Sequence, residues 1–441
     1  MATTKTKTKT IAGTTGGITL AGILIWLASL GGGGSPPPTT TTVKPTITVA
    51  TTARPTTAKP TTTSTTTSTP GTQSADRSFG APDASWNQPV SKFGFSPDLQ
   101  QYASRWWWFG GGGDVPGYVN VAGGEYGIPV YSAANATTIA RAYQVKWAQE
   151  LYVADVGATL PWNPAWKPGT GNDNLMTIID YKTGTVWSIG GIGQLPINCI
   201  DGVRIGDLRL GGPNTRNDYD INNPLHLCST GVTRQEGAYT FKDGSTVDGR
   251  GMGINQIALT VRAVEVRAGK IPHPLAMAIT NTMFGPACSP IRGASAPGAG
   301  VSCGFFVPPA TKLERINPNI GCAAQVVNDL ERSKTIPEGM RFALDISDPE
   351  IDQWLDSRKY TGKIRSTARV FAVALRDYGW IIAETGCHGM LIQTDSFVEG
   401  EAAPIWRNEL GLTGTDPKFP NADLIAGLIT EKRVRVIQPP P

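Results

Sequence analysis

From Gly31 to about Gln73 the chain holds almost nothing that can be buried: "SPPPTTTTVKPTITVATTARPTTAKPTTTSTTTSTPGT" is built of Thr, Pro and Ser with few exceptions. Such a stretch cannot offset its ordering entropy by burying apolar surface. It predicts a disordered stalk over residues 31 to 75, stiffened by Pro and with Thr hydroxyls open to O-linked sugars. Any folded body is thereby confined to residues 76 to 441. Ahead of the stalk, residues 11 to 30, "IAGTTGGITLAGILIWLASL", run without a charge for the length that crosses a bilayer. Lys5, Lys7 and Lys9 precede them in a basic tail of residues 1 to 10, which the positive-inside rule keeps in the cytoplasm. The same segment also reads as a cleaved secretory signal, although "WLASLGGGG" lacks a clean A-x-A site. A transmembrane anchor and a signal both export the body, to the cell surface in one case and into the medium in the other.

Charge supports this partition. Six of the 39 basic residues precede Asp76, the first acid, which leaves 33 basic against 35 acidic residues in the body. A near-neutral exported domain argues against a nucleic-acid partner. All six cysteines, Cys199, Cys228, Cys288, Cys303, Cys322 and Cys387, lie in the body. An even number in an oxidising compartment predicts three disulfides, with the connectivity open. Cys288 with Cys303 would close a Gly-, Pro- and Ala-rich loop and Cys199 with Cys228 a Gly- and Asn-rich one, leaving Cys322 with Cys387. No spacing of Cys or His suits zinc, and no metal or cofactor is expected.

The body reads as short extended runs punctuated by Gly, Pro, Asn and Asp: "YVNVA", "GIPVYSA", "LMTIIDY", "TVWSIGGI", "ALTVRAVEV", "LAMAITNT", "CGFFVPPA" and "WIIAET". Each is strand-sized and rich in β-branched or aromatic residues, the pattern of a sandwich. "LMTIIDYKTGTVWSI" predicts a hairpin turning at Lys182, Thr183 and Gly184. Helix is expected to be sparse: "SPDLQQYASRWWW", "GCAAQVVNDLERS", "DPEIDQWLDSR" and residues 366 to 378. The fold class expected is mostly β, a jelly-roll-like β-sandwich with a few helices.

The order of these pieces resembles a family of secreted, mostly actinobacterial proteins of poorly defined function. The resemblance rests on "DNLMTIIDYKTGTVWSI", "GINQIALTVRAVEVRAGKIPHPLAMAI", "IPEGMRFALD" and "ARVFAVALRDYGWIIAETG". In that family a hairpin precedes an R-x-x-E-V-x-x-G-x-I-x-H-A-L block and a later A-L-x-x-Y-G helix and strand. This chain departs from it at Glu384, where the family commonly has Asp, and at His273-Pro274-Leu275 in place of H-A-L. The resemblance covers about residues 85 to 395 and implies a jelly-roll-like sandwich and a carbohydrate ligand.

A secreted sandwich acting on glycans needs two carboxylates, or an acid with a basic partner, across the scissile bond. Glu384 closes an otherwise apolar strand, on the face of Trp380 and Ile382 if the strand is regular. His273 follows the predicted strand "ALTVRAVEV", and Asp180 ends "LMTIID" at the hairpin turn. These three are the candidate catalytic residues of a polysaccharide hydrolase or lyase. Their alternative roles are a structural carboxylate paired with Arg, a hydrogen-bonded core histidine and a turn cap. His388 reads as a surface histidine fixed by Cys387. Arg262 and Glu265, three apart on a strand, would point to opposite faces; Arg262 is expected to pair with a carboxylate such as Asp180 or to clamp substrate, with Tyr181 beside the turn.

Trp106, Trp107 and Trp108 in "RWWWFGGGG" are candidate sugar-stacking residues, with Arg105 as a donor beside them. Consecutive aromatics on a helix cannot all face one way, so at least one is expected in the core. Trp162, Trp166 and Trp187 either extend that platform or pin their own loop. The rival readings are therefore a glycan-cleaving enzyme, a lectin or adhesin without catalysis, and a structural surface protein. The expected partners are a polysaccharide or cell-wall glycan and, through residues 11 to 30, the membrane. Limited proteolysis is expected to release a fragment beginning between about residues 60 and 85; first cleavage inside the body would remove the stalk boundary.

Overall fold

The computed structural model describes residues 78–111, 116–124, 126–145, 159–170, 174–190, 193–194, 208–209, 226–229, 231–240, 251–283, 306–311, 334–386, 389–412 and 423–440. The anchor, the stalk, the helix "GCAAQVVNDLERS", His388 and every cysteine except Cys228 lie outside the described residues, and with them the predicted disulfides. Among those described, no helix is long and apolar enough to cross a membrane.

The largest sheet has six strands in the order β1 (Val119–Ala122), β14 (Met390–Gln393), β11 (Leu275–Ile279), β13 (Trp380–Thr385), β12 (Arg341–Leu344) and β15 (Val434–Val436). A second holds β10 (Gly231–Gln235), β6 (Thr185–Gly190), β5 (Met176–Asp180) and β2 (Val130–Ser132). The third holds β4 (Thr159–Trp162), β3 (Thr138–Val145), β9 (His226–Ser229) and β7 (Gly193–Gln194), with β8 (Leu208–Arg209) also on β3. The helices are α1 (Gln101–Phe109), α2 (Gln256–Leu259), α3 (Ala263–Arg267), α4 (Asp348–Ser357), α5 (Gly362–Asp377) and α6 (Ala403–Asn408).

Alternation along the strands stacks these pieces in layers. Trp380 and Ile382 of β13 face a core shared with Trp106 of α1 and with Phe371 and Leu375 of α5. Ile381 and Ala383, on the reverse face, pack with Val130, Ile179 and Val186 of the second sheet. The far side of that sheet, Met176, Ile178, Trp187 and Ile189, meets Ala140, Leu160 and Trp162 of the third. Because β13 is covered on both faces, its sequence is a continuous apolar run. In the first layer Phe342 stacks on Trp380 at 5.7 Å between ring centres, and Trp106 lies 4.9 Å from Trp380. The antiparallel pair α4 and α5 is laced by Arg376 to Asp348 (2.9 Å), Arg369 to Asp352 (2.6 Å) and Arg365 to Asp356 (2.7 Å), exposed pairs worth little each.

The expected sheets and the β5–β6 hairpin are present, with Gly184 at a positive φ of 71° in the turn. Four expectations are corrected among the described residues. Helix is not sparse; it matches strand in amount. The largest sheet is mixed, with β1–β14 and β11–β13 parallel, whereas a jelly roll is built from antiparallel pairs. "ALTVRAVEV" is not a strand but runs through α2 into α3. Asn255 caps the first by accepting from the Ile257 N–H at 3.0 Å, and Glu265 reaches back to the Arg262 N–H at 3.1 Å in the second; local caps override the β-branched composition. The described part of "CGFFVPPA", residues 306 to 310, is a turn.

The joint between α5 and β13 is two residues, Tyr378 and Gly379. Gly379 holds φ at +73°, and a Cβ there would stand 1.8 Å from the Phe342 carbonyl oxygen. Gly379→Ala therefore meets both left-handed strain and a backbone clash. We expect a loss of at least about 2 kcal/mol, read as a lowered urea midpoint with an unchanged slope.

Candidate functional site

The scarce polar residues of the sequence fall into three separate places. The first is a sealed ionic cluster where α3 leads into β11. In a helical turn, residues three apart share a face, so Arg262 and Glu265 meet rather than diverge as expected. The Arg262 Nη2 lies 2.7 Å from Glu265 Oε1, and His273 Nε2 lies 3.2 Å from Glu265 Oε2. All three side chains are 2 to 3% exposed. The other ring nitrogen of His273 faces the Pro274 carbonyl at 2.8 Å. Burial works to raise the Glu265 carboxyl, but Arg262 and His273 outweigh it and hold the group at about 2.

Asp395, just beyond β14, completes the cluster and was not singled out by sequence; a lone Asp before Ser in "QTDSF" reads as a turn residue. Its carboxylate accepts from the Ala263 N–H at 3.1 and 3.2 Å and from the Trp406 indole N–H at 2.5 Å. Burial pushes it up to about 7 in spite of those donors and of Arg262 nearby. The Arg262 guanidinium also sits over the Phe79 ring at 4.8 Å. Tyr181, half-buried against the same core, has its phenol raised by burial, with Arg262 opposing.

The second place is the hairpin turn. Asp180 accepts from the Lys182 N–H at 2.9 Å, the Thr183 N–H at 3.4 Å and the Thr183 hydroxyl at 2.7 Å. It is a turn cap, and the partner predicted for Arg262 is Glu265 instead.

The third is Glu384, whose position depends on a β-bulge. Met277 pairs with Ile382 but Ala278 pairs with Glu384, so Ala383 is an extra residue in β13. With every residue kept and no bulge, Glu384 would sit opposite Ile279 in the Trp380 layer, as regular alternation predicted; the bulge changes this. With it, Glu384 shares the face of Ala278, which packs with Ala122 and Leu391. There its half-buried carboxylate accepts from Gln393 Nε2 at 2.6 Å. It is not paired with Arg262. His273 lies two residues before Leu275, at the opposite end of the β11–β13 pair. Five residues at about 3.3 Å each separate the two along the strand by about 16 Å, beyond the 5 to 10 Å or so over which carboxyl groups act on one glycosidic bond.

The tryptophans also divide. Trp106 is fully buried and Trp107 packs at the edge of the core over Gly117. Trp108 is 48% exposed, and its indole N–H donates to Glu431 Oε1 at 2.9 Å. Ser104 donates to the same oxygen at 3.0 Å. Trp162, Trp166 and Trp187 are buried, with Trp166 stacked on Tyr131 at 4.8 Å; they form the core between the second and third sheets and are not part of a surface platform. Among the described residues no cluster of three or more His, Cys, Asp or Glu is placed to hold a metal.

No family model, curated protein or solved structure matches the chain.

The ionic cluster carries a pH signature. An acid whose folded value is raised loses its stabilising contribution as pH rises from the unfolded to the folded value, because the folded state alone still holds the proton. Asp395 should therefore make the fold less stable from about pH 4 to about pH 7. Glu265 works in the opposite sense, with stability lost as pH falls from about 4.5 toward 2. Melting curves across pH 4 to 8 should show a shallower decline for Asp395→Asn than for the natural chain; parallel curves would mean that Asp395 ionises normally.

Proposed function

We propose that the chain is an exported, surface-displayed carbohydrate-binding protein that acts without cleaving its ligand, held to the membrane by residues 11 to 30. The single observation that carries this reading is Trp108. Its ring edge is tied down by Glu431 and its face is open, so a stacking surface is fixed before any ligand arrives. Such pre-organisation lowers the entropy cost of binding. The apolar faces of sugar rings stack on indoles, and Ser104 and Glu431 supply hydrogen-bonding atoms at the rim. The Thr/Pro stalk would hold that surface away from the membrane, and the motif resemblance to a secreted, carbohydrate-associated family favours the same ligand class.

The catalytic reading has one observation in its favour: Glu384 is a half-buried carboxylate held in a fixed orientation on a bulged strand, and bulges recur beside active sites. Against it, His273 and Asp180 lie elsewhere and each already has a structural partner. Pull-down on a panel of insoluble polysaccharides and cell-wall preparations should show retention of the natural chain. Trp108→Ala should lower affinity by about tenfold or more, as expected for one lost stacking contact, with an unchanged melting temperature. Retention that survives Trp108→Ala overturns this assignment. Release of reducing ends that is abolished in Glu384→Gln restores the hydrolase or lyase.

A further inference from the structure

The acids around α4 and β15 are paired with arginines: Asp348, Asp352 and Asp356 with α5, Glu350 with Arg433, and Asp345 with Arg435. Glu431 is different. Its Oε1 takes the Trp108 indole N–H at 2.9 Å and the Ser104 hydroxyl at 3.0 Å, from two residues four apart on one face of α1. Both donors are neutral. Among the described residues no cation lies within ion-pair reach of this carboxylate, and its second oxygen takes no hydrogen bond. Lys432 follows it and is exposed, but adjacent side chains on a helical turn diverge. The Arg105 guanidinium is turned back over the Tyr102 ring at 4.6 Å.

An indole N–H lies in the ring plane, so the carboxylate stands at the edge of Trp108 and leaves a face open; the side chain is 48% exposed. A cation within about 6 Å of the ring centre over that face is attracted by the ring quadrupole. Placed toward the pyrrole edge, it also meets Glu431. We infer that Trp108 and Glu431 together select carbohydrate bearing free primary amines, with the sugar ring stacked on the indole and its ammonium set between the ring and the carboxylate. The inference rests on Trp108 being a sugar-stacking surface, and it names which sugar that surface prefers. A neutral hydroxyl would give Glu431 an ordinary hydrogen bond, whereas an ammonium gives a charge-assisted one and the cation–π contact besides. An N-acetylated amine carries no charge, and a uronic acid would set two carboxylates side by side. Net charge does not supply this preference, because the chain carries a formal +4 and the body holds 33 basic against 35 acidic residues.

The test uses the full chain with matched soluble oligosaccharides of glucosamine and of N-acetylglucosamine. It is run at about pH 6, below the range of α-amino groups, so that the sugar amine is protonated. Titration calorimetry should show the glucosamine chain binding at least about fivefold more tightly, the gain expected of an exposed cation–π contact and ion pair together. The preference should fade as salt is raised, and vanish by about pH 9 as the amine loses its proton. Glu431→Gln keeps an oxygen for Ser104 and the indole but removes the charge, and should bring the two affinities within about twofold of each other. If that variant does not fold, the pH and salt dependence of the natural chain decides. Equal binding of both oligosaccharides that is lost in Trp108→Ala would overturn the amine preference and leave the carbohydrate assignment standing. A preference that persists in folded Glu431→Gln, or that ignores pH, would overturn it as well. Binding of neither probe would also overturn it, and the polysaccharide panel would then judge the carbohydrate assignment separately.

Discussion

The burial of one carboxylate, Glu265, organises the centre of the molecule. A charge at 2% exposure is tolerated only with partners of opposite sign, since losing one partner of a buried pair costs about 3 to 5 kcal/mol. The chain supplies both partners locally: Arg262 at the start of the same helical turn and His273 eight residues on. The loop between them is thereby closed on itself and delivers Leu275 into β11, an inner strand of the largest sheet. Asp395 then fastens the end of β14 to the start of α3, and Trp406 brings α6 onto the same carboxylate. Two stretches more than a hundred residues apart, 262 to 273 and 395 to 406, meet at this cluster.

The cluster occupies His273 and Arg262, and the hairpin turn occupies Asp180. Scarcity of histidine and a charge in an apolar context are signals of cost, and cost is met by function or by pairing. Here His273, Arg262 and Asp180 are paired within the fold, while Glu384 and Trp108 keep part of their surface toward solvent. The two open residues are not neighbours. Trp108 is tied to Glu431 beside β15, and Glu384 lies on the opposite face of the sheet, over Ala278 and Leu391.

Much of the fold was legible from period and punctuation. The β5–β6 hairpin, α1, α4, α5 and the strand "WIIAET" each follow from local rules that the structure obeys. The strand expected at "ALTVRAVEV" failed because composition was weighed above the capping interactions of Asn255, Arg262 and Glu265, which close helical turns in a run rich in valine. Glu384 was placed on the wrong face for a different reason. Alternation counts residues, and a bulge changes the count without leaving any mark in composition. Asp395 escaped notice because nothing in "QTDSF" distinguishes a turn aspartate from one whose acceptors are claimed by a helix start and an indole some distance away.

The extra residue in β13 gives the length of that strand a meaning separate from its hydrophobicity. Between Trp380 and Gly386 the chain reads two rulers, one set by the Trp380 core and one by the Ala278 face, and Ala383 is where the reading changes. Deleting Ala383 would leave a regular strand with the carboxylate still opposite Ala278, whereas keeping every residue and closing the bulge would turn that carboxylate inward against the aromatic layer.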